Sequence, residues 1–193
     1  MAEEFQSGQF ELVLHNFSLA EHVVRHLAEH AVSGEQIPTI CVTLASRLGT
    51  VAIPGEACGL FTTPVIHQAC VDVRRTLAFV NLRYGYKAQA IESHVDTKHG
   101  DNWNINDLGI SSVSPKTLVA LSEELFGRRP EEFIVDMLHY VDKQLAHFTR
   151  IAHQPTFENI ERSCILMTEL ILRHVYDPLG VQRPRIPLRK EES

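Results

Sequence analysis

The sequence contains no long hydrophobic run and little cysteine, and both shortages exclude whole classes of protein. In 193 residues no apolar stretch approaches the roughly 18–20 residues that a membrane-spanning helix requires. The first ten residues, Met1–Phe10, are acidic and polar and lack the features of a secretory signal. The four cysteines form no CxxC pair, which argues against a zinc ribbon or a thioredoxin-type site and favours buried, reduced thiols. We therefore expect a cytoplasmic protein that makes no contact with a membrane.

Several catalytic signatures are also missing from the sequence. There is no GxGxxG or Walker-type loop to cradle phosphates, no GxSxG, and no HExxH or ExxH metal word. These absences predict a protein without a bound cofactor. The formal charge of −6 argues against a chain that coats nucleic acid, although a local basic site remains compatible with it.

Apolar residues recur at helical spacing along most of the chain, and capping residues indicate where helices begin. No set of strands is predicted, and residues 50–61 and 85–113 are predicted to be loops, the second containing the only tryptophan, Trp103. Helices are predicted from the Ser18 capping box to Gly34, from Pro38 to Gly49, from Thr63-Pro64 to about Tyr84, from Ser114-Pro115 to Phe126-Gly127, over 130–152, and from Thr156 through Val175.

The arrangement of these segments predicts an all-α fold, an antiparallel helical bundle. The segment 130–152 and the last helix are separated only by a short break at 153–155, so we expect them to fold back on each other. Residues 1–180 are predicted to form one domain, with the irregular loop 85–113 inside it. Residues 181–193 are predicted to be a disordered tail.

The predicted helix over 130–152 has one apolar face and one face with several kinds of chemistry. At about 100° per residue, the apolar arc comprises Ile134, Leu138, Val141, Leu145, Phe148 and Ala152. The opposite face carries Asp136, Tyr140, Lys143, His147 and Arg150, with His139 beside them. Such a set can neutralise a phosphate and move a proton near neutral pH. The same pattern is also typical of the solvated side of an amphipathic helix.

Within this helix, the local sequence from Val141 to His147 resembles the HEPN superfamily, in branches found among abortive-infection and toxin–antitoxin proteins. The family motif is an arginine followed by four to six residues and a histidine, often with Asn or Asp after the arginine and Ala before the histidine. Asp142, Ala146 and His147 match it, in a two-helix context covering about the last third of the chain. The resemblance implies a bundle that dimerises across a cleft, and, in active members, a metal-independent ribonuclease.

The chain departs from this motif at its arginine, where it has Val141. Lys143 and Arg150 are nearby cations without the family spacing, and lysine lacks the planar fork that grips phosphate. We therefore favour a HEPN-like homodimer that binds a nucleotide, RNA or a cognate antitoxin-type protein without catalysis, using Asp136, Tyr140, Asp142 and Arg150. The alternative is a ribonuclease with His147 as general acid and base and with Lys143 or Arg150 in place of the missing arginine.

The sequence contains four further patterns outside this segment. His22, His26 and His30 are spaced i, i+4, i+8, so neighbouring members could hold a metal ion, which makes a metal-binding bundle the second alternative. Arg25 to His30 satisfies the arginine–histidine spacing literally, but in the first helix, where the family context is absent. The loop residues His94, Asp96, His99 and Asp101 form a second weak ligand cluster. Asp72 and Arg75 are interpreted as an ordinary surface ion pair.

Overall fold

The computed structural model describes residues 7–33, 40–43, 50–53, 58–94, 103–142 and 155–186. This part of the chain is mostly helical, in agreement with the all-α prediction, but it also contains two β-hairpins. Its elements are α1 (Ser7–Ser33), β1 (Ile40–Thr43), β2 (Thr50–Ile53), α2 (Cys58–Phe79), β3 (Leu82–Gly85), β4 (Ala90–Ser93), a 3₁₀ helix (Ile105–Leu108), α3 (Pro115–Phe126), α4 (Glu131–Tyr140), α5 (Phe157–Ile171), a π-helical continuation (Leu172–Tyr176) and α6 (Asp177–Leu179).

Helix α1 begins eleven residues before the predicted capping box, so the start at Ser18 is wrong. Phe10, Leu14 and Phe17 lie at helical spacing and are all buried, which extends the apolar stripe toward the N-terminus. Ser18 itself is 3% exposed within the helix. The most extensive helix contact in the described chain is that of α1 with α5, and it places this stripe in the core.

The predicted helix from Pro38 to Gly49 is also wrong, because its described residues form β1 of an antiparallel hairpin. The partner strand β2 lies in the predicted loop 50–61, with Ile40 opposite Ile53 and Thr43 opposite Thr50. Both strands are rich in β-branched residues, which restrict the side-chain torsion and favour extended backbone. The helical spacing of a few apolar residues did not outweigh this preference.

Helix α2 begins at Cys58, so Thr63 is not a capping residue and Pro64 lies inside the helix. The helix ends at Phe79, not near Tyr84, because Asn81 adopts a left-handed conformation with φ of 63°. Asparagine tolerates this region better than most residues. The chain then turns directly into β3.

The β3–β4 hairpin occupies much of what was predicted to be an irregular loop. Leu82 pairs with Ser93 and Gly85 with Ala90. A Cβ atom at Gly85 would lie 2.7 Å from the carboxyl carbon of Glu92, so a larger residue here would require the Glu92 side chain to move. The Ile91 amide donates to Oε1 of Glu131 at 3.2 Å, which ties the hairpin to the start of α4.

The predicted starts of α3 and α5 are confirmed. The Ser114 side chain accepts from the Thr117 amide and the Thr156 side chain from the Asn159 amide, both at 3.1 Å. Helix α4 contacts α5, as expected, and residues 143–152 of the predicted helix lie outside the described part of the chain.

The predicted tail begins with residues whose positions the structure describes. Arg183 forms an ion pair with Asp177, at 2.6 Å between Nη2 and Oδ2, and Ile186 packs against the core. Residues 187–193 lie outside the described part of the chain.

Candidate binding groove

A groove of about 1210 Å³ runs over the exposed ridge of α2. Its walls come from the N-terminal half of α1, from α2, from the β3–β4 hairpin, from Trp103 and from the end of α4. Small-molecule sites commonly have volumes of roughly 300–1,000 Å³. The groove is therefore large enough for a ligand of nucleotide size, and we call it the α2 groove.

One part of the α2 groove is lined by aromatic rings. The ring centroids of Phe10 and Phe79 are 5.0 Å apart, and Trp103 lies 5.8 Å from Phe10 and 5.5 Å from Phe79. Trp103 is half-buried, and the neighbouring Leu12 is 63% exposed. One edge-to-face and two tilted contacts hold these rings in place. The partly exposed Phe79 and Trp103 therefore give the groove an apolar surface on which a planar ring can stack.

The charge of the α2 groove differs in sign from that of the whole chain. The lining includes the four cations Arg74, Arg75, Arg83 and Lys87. It includes the three carboxylates Asp72, Glu92 and Asp142. The chain as a whole carries a formal charge of −6, so this groove is a comparatively favourable place for an anion.

Asp142 joins three segments at the edge of this groove. Its Oδ1 atom accepts from Nη1 of Arg74 on α2, and its Oδ2 atom accepts from the hydroxyl of Tyr86 in the β3–β4 turn. Burial, followed by the hydrogen bond to Asp142, raises the pKa of Tyr86. The phenol therefore stays protonated and remains a donor at neutral pH. The ring of Tyr86 packs against His139, with centroids 5.0 Å apart.

Asp72 is buried between α1 and α2 at 1% exposure, which corrects the prediction of an ordinary surface pair with Arg75. Its closest partners are Nδ2 of Asn16 at 2.8 Å and Nε2 of Gln68 at 3.0 Å. Arg75 lies farther away, at 3.9 Å. A buried carboxylate needs such partners, so Asp72 holds two helices together beneath the groove.

Two of the predicted binding residues on α4 face neighbouring helices and do not line the α2 groove. Asp136 is half-buried and accepts from Nδ2 of Asn159 at 2.9 Å. Tyr140 is 8% exposed, and its hydroxyl is hydrogen-bonded to Nε2 of His67 on α2. These contacts correct the interpretation of 136 and 140 as members of one open polar face. Asp142 does line the groove, and its role in binding stays a prediction.

Burial shifts the pKa of both members of the His67–Tyr140 pair toward the neutral form. Burial lowers the pKa of His67, so its ring is neutral at pH 7. Burial and then the nearby Cys70 raise the pKa of Tyr140. Burial also raises the pKa of the Cys70 thiol to about 12, in keeping with the expected reduced, unreactive cysteine.

The remaining predicted residues fall partly outside the described chain. Lys143, His147 and Arg150 lie there, as do Asp96, His99 and Asp101. On α1, His22 is exposed and His26 half-buried, and the side chain of His30 is not described. Among the side chains that the structure describes, no group of three or more His, Cys, Asp or Glu could hold a metal ion. Arg25, from the literal motif match, forms an ion pair with Glu161 of α5.

The residues that build the α2 groove were mostly missed from the sequence. Arg74 and Tyr86 belong to no recognisable motif. Trp103 is distinguished in the sequence only as the single tryptophan of a predicted loop. Arg74 is 68 positions from Asp142, and no local spacing indicates such a pair.

Comparisons with known proteins add no relative to this description. Neither family models, nor curated proteins, nor solved structures give a match to the chain. None of the helices that the structure describes has the length and apolar character needed to cross a bilayer.

Proposed function

We propose that this chain is a HEPN-like helical binding protein whose α2 groove takes a nucleotide or a short single-stranded RNA segment. The observation that carries this proposal is that partly exposed aromatic rings and exposed guanidinium groups line one continuous groove. Nucleotides combine a planar base with an anionic phosphate. Stacking of a base on an aromatic ring contributes about 1–3 kcal/mol, and arginine pairs with phosphate through charge-assisted hydrogen bonds.

The position of Asp142 supports the link between this groove and the HEPN-like motif. Asp142 belongs to the segment from Val141 to His147 that carries the resemblance, and it lines the groove. The motif arginine is replaced by Val141, which is 6% exposed and part of the core. Arg74 of α2 brings a guanidinium to this segment from elsewhere in the chain.

The binding proposal is tested by following the fluorescence of Trp103, the only tryptophan. Titration with nucleoside monophosphates and with a short RNA should quench or shift the emission, because Trp103 lines the groove. Arg74→Gln should weaken binding roughly ten- to a hundredfold, since a hydrogen bond to a charged group contributes roughly 1.5–3 kcal/mol. Calorimetry of Trp103→Phe checks that binding persists when the fluorophore is removed.

Arg25→Gln is the matched control for Arg74→Gln. Arg25 is similarly exposed, at 58% against 56% of the side chain, and it also pairs with a carboxylate on another helix. It does not line the groove. Equal loss of binding in both variants, or no saturable binding by the unmodified protein, would contradict the proposal.

Catalysis is the second candidate, favoured by the contact of Arg74 with Asp142 inside the motif segment. In this case Arg74 would contribute the cation missing from the motif, and His147 would act as general acid and base. RNA cleavage in EDTA that is lost in His147→Ala would support a ribonuclease. Equal cleavage by both proteins would exclude His147 from that role.

We also propose that the protein is a homodimer, as the HEPN resemblance implies. Light scattering at micromolar concentration measures this directly, and a monomer would count against the HEPN assignment. The result is independent of nucleotide binding, since the groove described above is formed by one chain.

A further inference from the structure

Two hydrogen-bond donors from different segments converge on the single carboxylate of Asp142. Arg74 donates to one oxygen and Tyr86 to the other. Neighbouring structure positions each donor. Arg74 lies on helix α2, and the Tyr86 ring packs against the rings of Tyr84 and His139. An anion that replaced the carboxylate would meet the same two donors.

This cluster is accessible from solvent. The side chains of Arg74 and Asp142 are 56% and 27% exposed, and Tyr86 is 47% exposed. Exposed ion pairs of this kind contribute little to stability. The free energy needed to separate Arg74 from Asp142 is therefore small, so this ion pair lowers the affinity for an incoming anion only slightly. Lys87, next to Tyr86 in the turn, also lines the groove and adds positive charge there.

We propose that Asp142 occupies the position of a ligand phosphate monoester and is displaced from Arg74 and Tyr86 when the ligand binds. The inference rests on the proposed nucleotide-binding function and gives its site a phosphate position. It changes the role predicted for Asp142, which becomes an internal competitor and not a ligand-binding group. The base of the ligand then extends along the groove toward Trp103.

The decisive variant is Asp142→Asn, which keeps the shape of the side chain and removes its charge. Calorimetry with inorganic phosphate, AMP and adenosine should show that phosphate and AMP bind about fivefold more tightly, the upper range for an exposed ion pair. Adenosine, which has no phosphate, should bind as it does to the unmodified protein. Glu161→Gln is the control, because it neutralises the partner of Arg25 outside the groove.

Tyr86→Phe provides a second readout that keeps both charged groups of the Arg74–Asp142 ion pair and removes the hydroxyl that donates to Asp142. It removes one donor, so phosphate and AMP should bind more weakly while adenosine is unaffected. If Asp142→Asn fails to fold, judged by its thermal melt against that of Glu161→Gln, Tyr86→Phe decides. An unchanged affinity for phosphate in Tyr86→Phe would then overturn the inference.

The outcomes separate this inference from the proposed function. If AMP binds the unmodified protein and Asp142→Asn binds it equally or more weakly, the inference fails while the binding function stands. If no nucleotide binds but Asp142→Asn gains affinity for phosphate, the phosphate position stands and the nucleotide function fails. If neither protein binds phosphate, AMP or adenosine, both are wrong.

Discussion

Replacing Leu14 or Leu12 by alanine tests the N-terminal half of α1, which supplies one wall of the α2 groove. The two residues lie one helical half-turn apart in the same helix, and the substitution is chemically identical. Leu14 is 1% exposed in the core, whereas Leu12 is 63% exposed. If α1 begins at Ser7, as the structure shows, only Leu14→Ala removes packed side-chain volume.

The expected cost follows from burial. Leu14→Ala removes about three methylene equivalents, each contributing roughly 0.8 kcal/mol, and leaves a cavity that adds to this cost. We expect the free energy of unfolding to fall by about 3 kcal/mol, within the roughly 2–5 kcal/mol typical of buried Leu→Ala changes. Leu12→Ala should change it by less than about 0.5 kcal/mol.

Urea denaturation followed by circular dichroism measures both effects. With a slope of roughly 2–3 kcal/mol per molar urea, Leu14→Ala should lower the midpoint by about 1–1.5 M, and Leu12→Ala should leave it nearly unchanged. Equal midpoints for the two variants would refute the placement of the α1 stripe in the core. The N-terminal half of α1 would then not form a wall of the α2 groove as described.

Two further predictions concern helix ends and pH. Thr156→Ala should destabilise the protein by about 1 kcal/mol because it removes the cap of α5, whereas Thr63→Ala should be neutral, since Thr63 is exposed inside α2. If both substitutions lower the free energy of unfolding in urea denaturation, Thr63 caps a helix as the sequence predicted. By NMR, His67 should titrate below 6.5, its unperturbed pKa, and should still do so in Tyr140→Phe, because burial is the cause. The folded protein then binds fewer protons at His67 than the unfolded chain does, so the free energy of unfolding should decrease as pH falls below about 6.5. A titration of His67 with a pKa at or above 6.5 would contradict the expected lowering of its pKa by burial.

Helix starts that depend on local chemistry could be predicted from the sequence. Ser114 followed by Pro115, and Thr156 before an apolar stripe, place their side-chain oxygens next to free amides whatever the rest of the chain does. The same reasoning failed at Thr63, because α2 begins at Cys58 and Thr63 therefore has helical residues on both sides.

The hairpins could not be predicted in this way. A strand is stabilised by its partner, so Ile40–Thr43 depends on Thr50–Ile53, and Leu82–Gly85 depends on Ala90–Ser93. The helical spacing predicted a helix over Ile40–Thr43 and as far as Tyr84, whereas Thr50–Ile53 and Ala90–Ser93 were predicted to be loop, and pairing across the hairpins outweighed both predictions. At Asn81, a single left-handed residue was enough to end α2 and begin β3.

The sequence by itself determined that the described chain is mostly helical, where α3 and α5 begin, and that the thiols of Cys70 and Cys164 are buried, because these properties depend on composition and on neighbours within one helical turn. Only the tertiary structure decided which charged and polar side chains meet. Asp142 pairs with Arg74 and Tyr86, which are 68 and 56 positions away, and Tyr140 meets His67 across 73 positions. Electrostatic interactions depend on distance in space, and the packing of α2 against α4 sets that distance.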